Sequence, residues 1–156
     1  MRELTQQEQV ELARRKQQFE LFLEERMPVL TEFIADLGLS DAAMVLVDAD
    51  RFLLPLSQFL KFQEIAAADR VWIVTRLGYF TGEWLVQRFG GCWFLNEVPD
   101  SRYFLHHVVG QFTQLENSNA MLDPFQVAAD LMDTPAPRDL AQLLTEVESE
   151  LRAVQP

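Results

Sequence analysis

The order of local signals along this chain predicts an α+β fold: a helical N-terminal half, a central helix, an antiparallel β-hairpin or three-stranded sheet, and two C-terminal helices. Three observations predict it. Apolar residues up to Phe89 recur mostly at helical spacing. Gly90-Gly91 then interrupts the pattern, and two short runs rich in aromatic and β-branched residues follow, Cys92–Glu97 and Arg102–Val109. Finally, Asp123-Pro124 places a side-chain cap before a proline, a strong helix start.

Each element has a local reason. Thr5-x-x-Glu8 is a capping-box pattern, and a helix is expected from there to about Arg26. Its apolar residues, Val10, Leu12, Phe19, Phe22, Leu23 and Met27, are thinly spread at first, so residues 1–27 read as a peripheral helix on the surface or against a partner. Pro28 fits the first turn of a second helix carrying Leu30, Phe33, Ile34 and Leu37, closed by Gly38. Ser40-Asp41 can cap the next segment. Residues 42–54 fit a helix or, through Met44-Val-Leu-Val47, a short buried strand; helix is favoured, with a break before Pro55. Ser57–Ala68 continues as helix through Phe59, Leu60, Phe62 and Ile65.

Asp69 is the expected cap of the central helix, Arg70–Phe89. Val71, Thr75, Gly78, Gly82, Leu85 and Phe89 follow one face, and Trp72, Tyr79 and Val86 a neighbouring stripe. A helix apolar all round belongs at the centre of a domain. Gly90-Gly91 ends it, because glycine takes the left-handed conformation at least steric cost. The two strands that follow join at Val98-Pro-Asp-Ser101. Pro99 cannot take the positive φ of a two-residue type I′ turn, so a four-residue loop is expected, closed by Glu97 opposite Arg102. That register sets Leu95 against Phe104, Phe94 against Leu105, Trp93 against His106 and Cys92 against His107, with both faces covered. Gly110 bulges or ends the second strand, Phe112–Leu115 continues it, Asn117-Ser-Asn119 turns, and Ala120–Leu122 adds a short third strand. Phe125–Met132 then forms a helix, and Thr134-Pro135 starts a last one running to about Ala153.

Composition narrows the function. The chain is 49% hydrophobic and 24% charged, which suits one ordered domain over its 156 residues. Its net charge is -11, with a pI near 4.5. Phosphate contacts need clustered Lys and Arg, so no nucleic acid is expected as a partner, nor an anionic membrane surface. A basic protein partner fits. The acid excess lies in residues 28–69 and 111–156, the latter with two basic and eight acidic residues. A lone cysteine demands no oxidising compartment, MRELTQQEQ has no signal-like apolar region, and no apolar run spans a bilayer uninterrupted. The cytoplasm is the expected location. Oligomeric state is not set by these features.

The candidate site residues are Gly78, Gly82, Glu83, Trp84, Cys92 and His107. The two glycines share a helix face, where either a ligand or another element can approach closely; packing is favoured. Glu83 beside them is a candidate acid/base group, or else a structural carboxylate paired with Arg76 or Gln87. Cys92 opposite His107 would be a thiol with a nearby base, against the commoner reading of a small core residue. His106 and His107 are adjacent and point to opposite faces of a strand, and with no further His no zinc site is expected. Asp48 and Asp50 form a D-x-D, a weak metal signal without strand or glycine-rich context. No cofactor motif is present, and no catalytic residue is assigned.

GYFTGE (Gly78 to Glu83), RFGGCW (Arg88 to Trp93) and DPF (Asp123 to Phe125) occur in this order. This stretch, Asp69 to Met132, resembles small uncharacterised bacterial proteins with a G-x-[YF]-x-G-E helix, a G-G-x-W strand start and a late D/N-P-F helix start. The resemblance implies an accessory partner, or a protein of bacterial competition such as an immunity protein. It carries no catalytic residue across. The function expected is therefore a non-enzymatic interaction or regulatory protein using an acidic surface. The alternative is a small-molecule binder, or a small hydrolase or transferase, with its site near Gly78, Gly82, Glu83, Cys92 and His107.

Overall fold

The computed structural model describes residues 2–153. They form five α-helices and a three-stranded antiparallel sheet, in the order α1 (Gln6–Asp36), α2 (Leu53–Lys61), α3 (Arg70–Phe89), β1 (Cys92–Leu95), β2 (His107–Gly110), β3 (Met121–Leu122), α4 (Pro124–Asp133) and α5 (Leu140–Ala153). The α+β class, the central helix and a three-stranded antiparallel sheet agree with the sequence prediction; the strand order is β1-β2-β3.

Three local signals hold, at Thr5, Asp123 and Gly90. Thr5 and Glu8 form a reciprocal capping box, with Oγ1 accepting from the Glu8 amide at 3.1 Å and the Glu8 carboxylate accepting from the Thr5 amide at 2.9 Å. Asp123 Oδ1 accepts from the amides of Phe125 and Gln126 at 2.8 and 3.3 Å, with Pro124 in the first helical position. Gly90, at φ +69°, closes α3 at the predicted residue.

Other boundaries move where tertiary packing outweighs a local stop. Pro28 does not start a second helix. It lies on the exposed side within α1, where the carbonyl it leaves without a donor can turn to water. Leu30, Phe33 and Ile34 beyond it are fully buried, and Phe22 before it joins the same core, so one continuous helix buries both sets. The 1–27 segment is therefore peripheral only in its first turns. Residues 42–54 contain no strand: two 3-10 turns, Ala42–Leu46 and Ala49–Phe52, lead into α2, which starts at Leu53 and holds Pro55 in its first turn. The helix expected through Ala68 ends at Lys61, where the carbonyls of Lys61 and Gln63 accept from the backbone and side chain of Arg138. Asp69 makes no side-chain cap; a 3-10 turn over Ala67–Asp69 feeds α3 instead. Thr134 ends α4, its hydroxyl donating to the Asp130 carbonyl. Asp139 then caps α5 through the Gln142 amide at 2.9 Å.

The hairpin register differs by three residues from the predicted one. The observed pairs are Cys92 with Gly110, Trp93 with Val109, Phe94 with Val108 and Leu95 with His107. Residues 98–105, expected in part as strand, make turns instead. The Asn96 side chain accepts from the Val98 amide and Ser101 Oγ from the Tyr103 amide, while Ser101, Phe104 and His106 amides bond three residues back. These local bonds occupy five amides of the turn without a partner strand, which is how short polar side chains compete with sheet ladders, and only the Leu105 amide of this segment is seen to donate across the hairpin, to the Asn96 carbonyl at 2.9 Å. Glu97 therefore faces Lys16 at 3.1 Å rather than Arg102. After β2, Gln111 adopts φ +55° and residues 112–115 leave the sheet. The face bearing Trp93, Leu95 and Val109 is buried. The other is covered in part: Val108 is buried, Phe94 half-buried and Cys92 exposed.

α3 is the pillar around which α1, the sheet and α4 pack, with Leu77, Phe80, Leu85 and Phe89 buried. Its two glycines receive aromatic rings. A Cβ on Gly82 would lie 1.8 Å from Cζ2 of Trp93, and one on Gly78 would lie 2.2 Å from Cδ1 of Phe125. Alanine is the better helix former by about 1 kcal/mol, so the sign of a glycine substitution here reports the contact. Gly82→Ala should destabilise the protein by about 1–3 kcal/mol through overpacking. In a Trp93→Leu background, with room restored, the same change should become neutral or stabilising. Chemical denaturation of the four proteins of the cycle measures this.

Candidate functional site

The predicted site residues divide into two groups. Gly78, Gly82, Glu83 and His107 meet in one buried aromatic cluster; Trp84 and Cys92 lie apart from it. Phe22 of α1 sits at the middle of the cluster. Its ring centroid lies 4.4 Å from His107, 5.1 Å from Trp93, 5.6 Å from Tyr79 and 6.0 Å from Phe125. Phe19 adds a contact to His107 at 5.4 Å. The space above both glycines is filled by Trp93 and Phe125, so their face is a packing face.

Glu83 is buried, its side chain 7% exposed. Its partner is neither Arg76 nor Gln87. Arg26 of α1 places Nε 2.9 Å from Glu83 Oε1, although its N–H does not point at the oxygen, so the contact pairs charges without a directed hydrogen bond. The Trp93 indole N–H donates to the same oxygen at 3.3 Å. Burial pushes the Glu83 carboxyl above its ordinary range, opposed by the Arg26 charge and the indole bond. Arg76 instead stacks over Trp72 at 4.3 Å, and Gln87 bridges the Val45 carbonyl and the Ala49 amide.

His107 is half-buried beneath Phe19 and Phe22, and its Nε2 is enclosed with no hydrogen-bond partner. Burial holds its pKa below the usual value, reinforced by the charges of Arg15 and His106 and opposed by Asp123. Cys92 does not face it: the register places Gly110 there, and the exposed Sγ donates to the Gln111 side chain at 3.3 Å. Trp84 donates from Nε1 to Asp50 Oδ1 at 2.9 Å and lies under the Arg88 guanidinium, which absorbs half of the D-x-D into a tertiary tie. Among the described residues, no group of three or more His, Cys, Asp and Glu side chains is placed to hold a metal ion.

Three features lie outside the candidate residues that the sequence offered. Arg26 is one, although Phe19, Phe22, Leu23, Arg26, Leu30, Phe33, Ile34 and Leu37 keep three- and four-residue spacing if the helix is read through Pro28. His106 is another: its Nδ1 lies 2.8 Å from Oδ2 of Asp123, the carboxylate that caps α4. The third is a groove of about 340 Å³ between β3, α4, α5 and the turn at Arg102 and Tyr103. Val127, Leu143, Val147 and Leu151 form its floor; Asp130, Glu146 and Glu150 stand on its rim.

Comparison of the chain with protein-family models, with curated proteins and with solved structures gives no match.

Two outcomes are expected from the buried pair. Arg26→Met leaves a buried carboxylate without its cation and should cost about 3 kcal/mol, whereas Glu83→Gln keeps volume and an acceptor for Trp93 and should cost roughly half that or less. Denaturation midpoints of the two variants check the order. The pH dependence follows from the direction of each shift. Neutral His107 contributes stability that is full above its unfolded pKa and is lost as pH falls through its lower folded value, starting near pH 6.5. Wild type should therefore lose stability relative to His107→Gln on acidification. Glu83 has the opposite sign: its folded pKa lies above 4.5, so wild type should gain stability relative to Glu83→Gln as pH falls toward that value. Thermal melts across that range measure both differences.

Proposed function

We propose that this chain is a non-enzymatic interaction protein that receives a basic segment of a partner protein in the groove between β3, α4 and α5. One observation carries the reading. Asp130, Glu146 and Glu150 are exposed around an apolar floor, and no basic side chain of the described residues lies within ion-pair distance of them. Gln126 and Gln142 contact two of them as neutral neighbours only. Arg102 is the groove's cation, and it stacks on Tyr103 at 4.7 Å. Three carboxylates against one guanidinium over an apolar floor complement a segment with cationic and apolar faces.

The bulk charge supports the same partner class, since -11 at neutral pH speeds encounter with a basic protein. The resemblance to small bacterial proteins agrees with an immunity-like or regulatory role in the cytoplasm. A small-molecule or hydrolytic site at the glycine face would have to open beneath Trp93 and Phe125, and Cys92 and His107 would have to approach one another. Among the described residues, no helix is long and apolar enough to cross a membrane.

The experiment compares affinity capture by the wild-type chain with capture by Asp130→Asn/Glu146→Gln/Glu150→Gln. The reading expects a reproducible basic partner whose salt-sensitive binding weakens at least about tenfold, or ~1.4 kcal/mol, in the variant. Equal capture by both proteins, or no reproducible partner, overturns it.

A further inference from the structure

The chain's basic side chains are not free at random. Nine of its 13 Lys and Arg residues lie within 4.0 Å of a carboxylate: Arg2, Arg14, Arg15, Lys16, Arg26, Arg51, Arg70, Arg88 and Arg152. Among the described residues, Lys61, Arg76, Arg102 and Arg138 do not. Lys61 and Arg138 meet at the end of α2, where the Lys61 carbonyl accepts from the Arg138 amide at 2.8 Å, and Arg76 stands on the ring of Trp72 in α3. Lys61 lies over the Phe62 ring at 5.6 Å, Arg76 over the Trp72 ring at 4.3 Å, and Arg138 reaches the Gln63 carbonyl at 2.7 Å.

The segment from the end of α2 into α3 also carries exposed aromatic side chains. Phe62 is 69% exposed and Trp72 46%, with Phe59 and Val71 exposed beside them in sequence. Phe59 and Trp72 line a shallow groove of about 590 Å³ together with Ile65, Ala68 and Ile73, and Glu64 and Asp69 stand on its edge. Neither carboxylate has a basic side chain of the described residues within ion-pair distance. The patch thus has an apolar centre with unpaired charges of both signs around it. A two-fold contact requires a surface complementary to itself. The acidic groove of α4 and α5 cannot meet its own copy without like-charge repulsion, whereas this patch can.

We infer that the α2–α3 patch is the contact between two copies of this chain, with Phe59 and Trp72 at its centre and Lys61 and Arg76 of one copy set against Glu64 and Asp69 of the other. This does not rest on the acidic groove, which stays open on each copy. Desolvated aromatic rings at the centre and charges at the rim are the arrangement that gives binding energy and register respectively.

The test is sedimentation of the full-length chain over a concentration series. The wild type should approach twice 18.0 kDa, that is 36.0 kDa, as concentration rises. Lys61→Glu/Arg76→Glu and Glu64→Lys/Asp69→Lys should each sediment as monomer, and an equimolar mixture of the two should recover the dimer, because opposite charges then meet again. Hydrogen exchange of the wild type across dilution gives a reading without any variant: slower exchange in residues 59–76 at high concentration is expected. A wild type that stays monomeric throughout overturns the proposal. So does a dimer that both charge variants retain, or one whose concentration-dependent protection lies outside residues 59–76. A folded pair of variants that does not recover the dimer on mixing overturns the assigned charge register.

Discussion

The structure turns on two aromatic rings standing where two β-carbons would be. Trp93 occupies the space above Gly82, and Phe125 the space above Gly78, one helical turn away. A helix pays for each glycine in propensity, and here the return is direct access to its backbone surface. The indole fixes where β1 crosses α3, and the phenyl ring fixes where α4 lies. Phe22 then touches both rings, so the long first helix takes its position from the same contact. The sheet, α1 and α4 are all referenced to two missing methyl groups.

That packing creates an electrostatic demand. Glu83 follows Gly82, so anything that covers the glycine face also strips water from the carboxylate. Arg26 arrives from α1 with a charge, and the Trp93 indole supplies a hydrogen bond from the ring that causes the burial. Burial still dominates, as the upward shift of the carboxyl shows. A residue with the look of an acid/base catalyst therefore has its charge opposed by a fixed arginine and its hydrogen bond taken by a tryptophan. His107 is treated similarly: aromatic rings cover it and leave its Nε2 enclosed.

Features whose cause is local were legible from the residues. The Thr5 capping box, the Asp123-Pro124 start and the Gly90 stop each depend on groups within a few positions, and each formed as read. Features decided by competition were not. Side-chain pairing alone favours a four-residue hairpin loop, but Asn96 and Ser101 give the backbone nearer partners, and the turn lengthens until the strands meet three residues away from that register. Pro28 by itself favours the start of a second helix, but the burial of Leu30, Phe33 and Ile34 on one side and Phe22 on the other outweighs one lost hydrogen bond. In the candidate site, the packing role of the glycines was legible, while their covering residues were not.

By itself the sequence determined the class of fold, the span of α3, the caps at Thr5 and Asp123 and an excess of acidic residues, because these follow from backbone conformation, spacing and charge count. Only the tertiary structure decided that Glu83 belongs to Arg26, that Cys92 and His107 stay apart, and where unpaired charge is left over. Those outcomes depend on which distant side chains arrive at the same few ångströms. Arg26 and Glu83 are neighbours across two helices and strangers along the chain, and nothing in their local sequence states that they meet.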